Sequence, residues 1–377
     1  MSLRYKSRGI LRGEHQRTIT CLAFSPDGAY VASGSLDGKL SIWCTNTGKL
    51  LYVIGGTVGI LALCWNSPSR DNVLCGLENG MVVSVNIDHD LSATGYVAHR
   101  LPVERLAILG TYVATGAHNE VCLWWNANNE HWYCIASSNR PPYVGMNMDH
   151  EAIVTSLHWR PSSGSESATL VASYLHHGIV FFETPSFKIV RFIATRTLVG
   201  DTSLSPDYRH LVVSNLCTGF DVYDLEVSAP IMTLTHDVKR RLPVPVLFIH
   251  RGNAILGGST SGKASLWTSA GKHLHTFPHE ENAIILAIAA HYNRVKDRFV
   301  VATGAQAEVG GAPYLQLWEA FDLCECRFLF PRRAILTYVI DKKEMYFRPS
   351  LKPVAEVPPV PPASQVCGVT LLFVSSF

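Results

Sequence analysis

Five histidines, His15, His99, His150, His236 and His279, stand before apolar runs of strand length, four of them at the same offset. Imidazoles repeated in this way could bind metal or move protons. Their spacing argues against both, because groups placed once per structural repeat do not converge, and each ring is expected to make a structural hydrogen bond instead. His273 and His275, at i and i+2, would share a strand face and offer two zinc ligands, as would Cys324 and Cys326. The histidines would need a third ligand, and an exposed outer strand is expected there instead; the cysteines have no second pair at metal spacing, which argues against zinc. His176 and His177 read as solvated turn residues. There is no Gly-x-Ser-x-Gly, no P-loop and no dinucleotide fingerprint. The glycine-bearing stretches GGTVG (55–59) and GAQAEVGG (304–311) lack the helix N-terminus that holds phosphate. No catalytic residue, metal or cofactor is expected.

Other residues suit binding better than chemistry. Lys239, Arg240 and Arg241 form the densest interior basic run, and with Arg140 and Tyr143 they could grip an acidic or phosphorylated peptide, or RNA phosphate. Pro141, Pro142, Tyr143, Met146 and Met148 make one connecting segment adhesive. Overall charge does not extend this into a nucleic-acid surface. Lys and Arg number 32 against 30 Asp and Glu in 377 residues, and the charged fraction is 16%.

The elements that must carry these residues are strands. ITCLAFSPDGAYVASGSLDGKLSIWCTNTGKLLYVI (19–54) is four apolar runs divided by Pro-Asp-Gly, Asp-Gly and Asn-Thr-Gly, an antiparallel meander of strands a to d. Its third strand, KLSIW, has counterparts ending at Val85, Trp124, Phe182, Tyr223, Trp267 and Trp318, and with Trp43 these recur every 39 to 58 residues. That period, about 40 to 45 residues where no loop is inserted, is that of a propeller blade. The second strand also recurs, as YVASGS, NVLCGL, YVATGA, LVASYL, LVVSNL, AILGGS and FVVATG; its small ends suit crowding near a common axis.

With the His before strand a, the turn Asp and the Trp ending strand c, the repeats resemble the WD40 family of β-propellers over roughly residues 5 to 330. The resemblance implies an all-β, seven-bladed propeller of four-stranded antiparallel blades. It also implies a structural tetrad, carried in blade one by His15, Ser33 (or Ser35), Asp37 and Trp43. At the Asp station the other blades have Asn79, His118, His176, Cys217 or Ser261, so the repeats are degenerate.

In such a ring the d-a and b-c connections emerge on one face and the a-b and c-d connections on the other. Residues 138–149, 237–243 and 305–313 then share the first face, while 162–168 and 290–297 loop out on the second. Long loops on a rigid scaffold commonly carry binding, which makes the first face the candidate partner surface. Two segments compete to close the last blade, the arm 4–11 and residues 324–330; the arm is favoured because it runs directly into the His15 station. Residues 1–330 are expected to form the propeller, 331–348 a short appended segment, and 349–377 a Pro-rich linker with an apolar tail. The final VCGVTLLFVSSF is too short to span a bilayer unless the chain continues. The first residues lack a signal-peptide apolar run, and ten cysteines without a CxxC read as reduced thiols, which points to the cytoplasm or nucleus. The resulting expectation is a non-catalytic scaffold for a protein or peptide partner, working within a multiprotein complex. The alternatives are a reader of phosphopeptide or RNA phosphate and, more remotely, an enzyme acting at the central channel.

Overall fold

The computed structural model describes residues 4–13, 15–66, 71–88, 91–126, 132–138, 141–142, 149–161, 167–293, 298–306 and 311–321. An opening strand, β1 (Arg4–Leu11), precedes the first blade, formed by β2 (Ile19–Phe24), β3 (Tyr30–Ser35), β4 (Lys39–Cys44) and β5 (Leu50–Gly55). Blade two is β6 (Ile60–Trp65), β7 (Asn72–Leu77), β8 (Met81–Asn86) and β9 (Ser92–Val97). Blade three is β10 (Arg105–Leu109), β11 (Tyr112–Ala117), β12 (Glu120–Asn126) and β13 (Trp132–Ser138). Blade four is β14 (Val154–Pro161), β15 (Ala168–Tyr174), β16 (Gly178–Thr184) and β17 (Lys188–Ile193). Blade five is β18 (Asp201–Leu204), β19 (His210–Ser214), β20 (Gly219–Asp224) and β21 (Ala229–Thr235). Blade six is β22 (Val246–Ile249), β23 (Ala254–Gly257), β24 (Lys263–Thr268) and β25 (His273–Pro278). Blade seven comes from both ends of the described chain: β26 (Ile284–Asn293), β27 (Arg298–Gln306) and β28 (Tyr314–Phe321), with β1 as its outer strand.

Every blade is an antiparallel meander, and the first strands touch their neighbours in cyclic order from β2 round to β26 and back. Ring closure is made by β1 on β28, in register from Arg4 opposite Phe321 to Leu11 opposite Leu315, with a bulge between Ser7 and Gly9. Pairing removes the open edge that blade seven would otherwise present. The bond is reinforced by side chains, since Gln316 Nε2 donates to Ser7 Oγ at 3.0 Å and Arg8 Nε lies 3.5 Å from Glu319 Oε2. Residues 324–330, the rival for that edge, lie outside the described residues.

The core lies between blades rather than on the axis. Val31 and Trp43 of blade one pack with Ala302 and Leu315 of blade seven, and Ile42 packs with Val73 and Trp65 of blade two. This corrects the reason for the small ends of the second strands. A Cβ on Gly34 would stand 2.6 Å from Ile60 Cγ2, and one on Gly116 would stand 2.8 Å from Val154 Cγ1. The small residue admits the next blade's first strand, so the crowding is between neighbours, not at the axis. Turn chemistry also repeats without its glycine. Ser25 and Asp27 pair at 2.7 Å around Gly28 (φ 71°), and Ser205 and Asp207 pair at 2.5 Å around Tyr208, which takes φ 60° itself. Residues 290–293, expected in a loop, continue β26, and 305–306 continue β27. Among the described residues no helix is long and apolar enough to cross a membrane.

Candidate functional site

In blade one, His15 Nε2 and Ser33 Oγ are 2.8 Å apart, and Trp43 Nε1 donates to the same hydroxyl at 3.4 Å. His15 Nδ1 lies 3.6 Å from Asp37 Oδ1, beyond hydrogen-bond reach. Asp37 is clamped instead by the N–H groups of Gln16 (2.6 Å) and Lys39 (2.9 Å). Burial works against its ionisation, but the nearby His15 imidazole and those two donors hold the carboxyl well below the usual carboxylate range.

Blade three builds the same device from different residues. His99 Nε2 meets Thr115 Oγ1 at 2.6 Å, Trp124 Nε1 donates to that oxygen at 2.9 Å, and His99 Nδ1 meets Glu120 Oε2 at 2.6 Å. A carboxylate only accepts, so Nδ1 carries the proton and Thr115 donates to Nε2. The acid therefore comes from the start of β12, not from the Asp station, where His118 instead bonds Glu151 at 2.6 Å. The sequence does contain the signal, an acid two residues beyond the expected position, but only a register could show that β12 presents it to His99.

The other three histidines lack the Ser or Thr hydroxyl partner of blades one and three, although His236 Nδ1 lies 3.3 Å from Asp237 O. His150 is exposed and stacks on His176, ring centroids 4.3 Å apart. His236 stacks on Phe220 at 4.9 Å. His279 turns to the Tyr314 hydroxyl at 3.3 Å, while Trp318 Nε1 donates to Thr303 Oγ1 without it. His177, expected in solvent, is completely buried. On β25, His273 is exposed and meets Thr276 Oγ1 at 3.1 Å, and His275 packs on Tyr5 and Phe277.

On the candidate partner face, Lys239, Arg240 and Arg241 are all exposed. Lys239 Nζ donates to Asn282 Oδ1 at 2.5 Å, and the Arg240 N–H donates to Thr260 Oγ1 at 3.1 Å. The flanks are fixed by His236 N to Thr218 O (3.1 Å) and Gly258 N to Pro245 O (2.8 Å). Arg140, Tyr143, Met146 and Met148 lie outside the described residues, as do Cys324 and Cys326.

The first strands carry polar groups that the sequence reading passed over. Arg105 on β10 donates through Nε to Thr155 O of blade four. His158 Nε2 donates to Thr202 O at 2.7 Å, and Asp201 Oδ2 accepts from the Val246 N–H at 3.0 Å. Burial pushes Asp201 up to about 6, against the pull of Arg105, and pushes His158 down to about 4. Burial likewise drives the Cys21 and Cys64 thiols up to about 12. Each of these hydrogen-bonding groups ties one blade's first strand to the next; none is presented as an acid–base pair.

Seven four-stranded blades closed by the N-terminal strand define a β-propeller. The family model described as "WD domain, G-beta repeat" matches residues 6–44. The chain is 34% identical over 86 residues to WD repeat-containing protein 1 of Rattus norvegicus, covering 21% of this chain and 14% of that protein. It is 29% identical over 96 residues to the U3 small nucleolar RNA-associated protein 15 homolog of Mus musculus (26% and 18%). It is 37% identical over 78 residues to small ribosomal subunit protein RACK1z of Arabidopsis thaliana (21% and 23%). The matches span less than a quarter of each of these relatives. Residues 6–44 thus match a WD40 repeat, and the blade count and the His–hydroxyl–Trp bonding of blades one and three extend the likeness to a WD40-type propeller.

Proposed function

We propose that this propeller is a non-catalytic protein–protein interaction scaffold that presents the loops of one face to a protein or peptide partner. The supporting observation is the basic segment 237–242, whose three cationic side chains are exposed while its backbone is tied to the neighbouring turns. A loop already held in place loses little entropy when a partner docks, and three cations favour an acidic segment. Membership of a multiprotein complex in the cytoplasm or nucleus is part of the proposal, in keeping with relatives named for a small ribosomal subunit and for association with U3 small nucleolar RNA.

A second reading, recognition of a phosphorylated peptide or of RNA phosphate, draws on the same three cations. The enzyme reading has less support, since Arg105, His158 and Asp201 are engaged with neighbouring main chains.

The test is proximity labelling of the intact protein in its native cell beside a variant with 138–149 and 237–242 replaced by short Gly-Ser loops. Loss of a discrete set of neighbours from a folded variant supports the scaffold reading. An unchanged set moves the partner site elsewhere and returns weight to the channel.

A further inference from the structure

Of the eight tryptophans, Trp125 alone is exposed. On β12 it stands directly opposite Tyr133 of β13, with ring centroids 6.4 Å apart and ring planes at 38°. Its cross-strand neighbour on the other side is Tyr112 of β11. Trp125 and Tyr133 are 38% and 46% exposed. Strand alternation fixes the direction of this aromatic row. Trp124 packs against Tyr96 of blade two, whereas Val121, on the same side of β12 as Trp125, packs in one cluster with Leu170 and Phe182 of blade four. Trp125 therefore faces the seam with blade four. From the far side of that seam, Phe182 stacks on Phe187 at 4.7 Å, and opposite Phe182 in the sheet stands Ile189, 45% exposed. Aromatic and aliphatic side chains of two blades thus line the outer end of one seam, beside the connections between strands c and d.

We infer that this groove is the docking site of the chain's own Pro-rich segment, residues 349–364. That segment carries six prolines, and PPVPP (358–362) holds two overlapping PxxP steps. Proline cannot donate to a strand ladder, so such a segment suits ring faces rather than a sheet edge. At three residues per turn, Pro358 and Pro361 fall on one edge of a polyproline helix and Pro359 and Pro362 on the next. Grooves lined by aromatic rings recognise that pattern. The flat rings cover the pyrrolidines, and the Trp125 indole and the two phenols offer donors to main-chain carbonyls that have no partner within a polyproline helix.

The tether is long enough. Residues 322–357, about 36 in number, span at most about 120 Å when extended. A compact domain with the length of this propeller is about 50 Å across, so half its circumference is about 80 Å. The chain leaves β28 of blade seven, and the seam between blades three and four lies across the ring in the cyclic order. A covalent tether also keeps the segment at a local concentration that a separate Pro-rich protein must exceed.

Photocross-linking of the purified full-length chain tests the docking. With p-benzoyl-phenylalanine in place of Tyr133, the expected product joins that position to a peptide from 349–364 within one molecule, at a yield independent of protein concentration. Trp125→Ala should abolish the product, as should joint replacement of Pro358, Pro359, Pro361 and Pro362 by Ala, with circular dichroism and thermal midpoint unchanged. The same photoreactive residue in place of Tyr52, also exposed but on the outer strand of blade one, should not give it. The inference is overturned if position 133 gives no cross-link to 349–364, or if isotope mixing shows that the link joins two chains. It is equally overturned if the link maps to the apolar 366–377, if it forms as readily from position 52, or if the four-alanine variant keeps it.

Discussion

The Tyr5 hydroxyl lies 2.6 Å from His250 Nε2, a buried bond between residues 245 positions apart that ties the closing strand of blade seven to blade six. The Tyr5 ring also packs edge-on against Phe277 at 5.0 Å. Closure therefore rests on more than the β1–β28 ladder. Tyr5→Phe keeps the ring and removes a partner from a buried imidazole, which should cost about 1 to 3 kcal/mol. Deleting residues 1–11 bares the edge of β28 and should turn a monomer into aggregate on size-exclusion chromatography. A truncated chain that stays monomeric with an unchanged urea midpoint would show that the arm is dispensable.

Trp43 contributes packing and a polar contact together. Its ring is buried between blades one and seven, and its Nε1 donates to Ser33, which also meets His15. Trp43→Ala should cost about 3 to 5 kcal/mol, the range for a buried aromatic. Chemical denaturation measures it; a loss under about 1 kcal/mol would undermine the inter-blade placement of this side chain.

The blade pattern was legible because the strand period, the turn residues and the aromatic at the end of strand c are local signals. The site was less so. Glu120 bonds His99 from within β12, opposite Ala117, whereas Asp37 stands two residues earlier in its blade, in the turn before β4 and out of hydrogen-bond reach of His15. Arg105, His158 and Asp201 each bond the main chain of the next blade's first strand, across 44 to 50 residues, which no spacing rule reports. His150, His236 and His279 kept the sequence station but found a ring or a phenol where a hydroxyl was expected.

The basic run should separate binding from folding. Lys239, Arg240 and Arg241 are exposed, and the loop is anchored chiefly through its main chain. Reversing all three to Glu should change stability by no more than about 0.5 kcal/mol per site, the usual range for exposed substitutions. Capture of an acidic partner should be lost and its salt dependence flattened. Thermal melts beside pull-down at two ionic strengths decide this; unfolding of the variant would make the cations structural instead.

Titration of the buried groups sets opposing pH trends. Burial raises Asp201 from an ordinary 3.8 to about 6, so the folded state holds its proton more tightly than the unfolded chain, and the stabilisation present below pH 4 is lost as pH rises through 6. His158, His250 and His279 are each pushed by burial from 6.5 to about 4, so the stability they contribute is present above pH 6.5 and is lost as pH falls through 4. Near pH 5 three histidines outweigh one carboxyl, leaving the unfolded state richer by roughly two protons, and stability should fall by about 2 to 3 kcal/mol per unit of acidification. Asp201→Asn preserves an acceptor for the Val246 N–H and removes the opposing trend. The variant should match wild type below pH 4 and exceed it by on the order of 2 kcal/mol above pH 6. Urea denaturation of both proteins across pH 4 to 8 measures the two curves. Coincident curves throughout that range would mean that Asp201 titrates as it does in the unfolded chain, and that the seam between blades five and six is wet enough to solvate its charge.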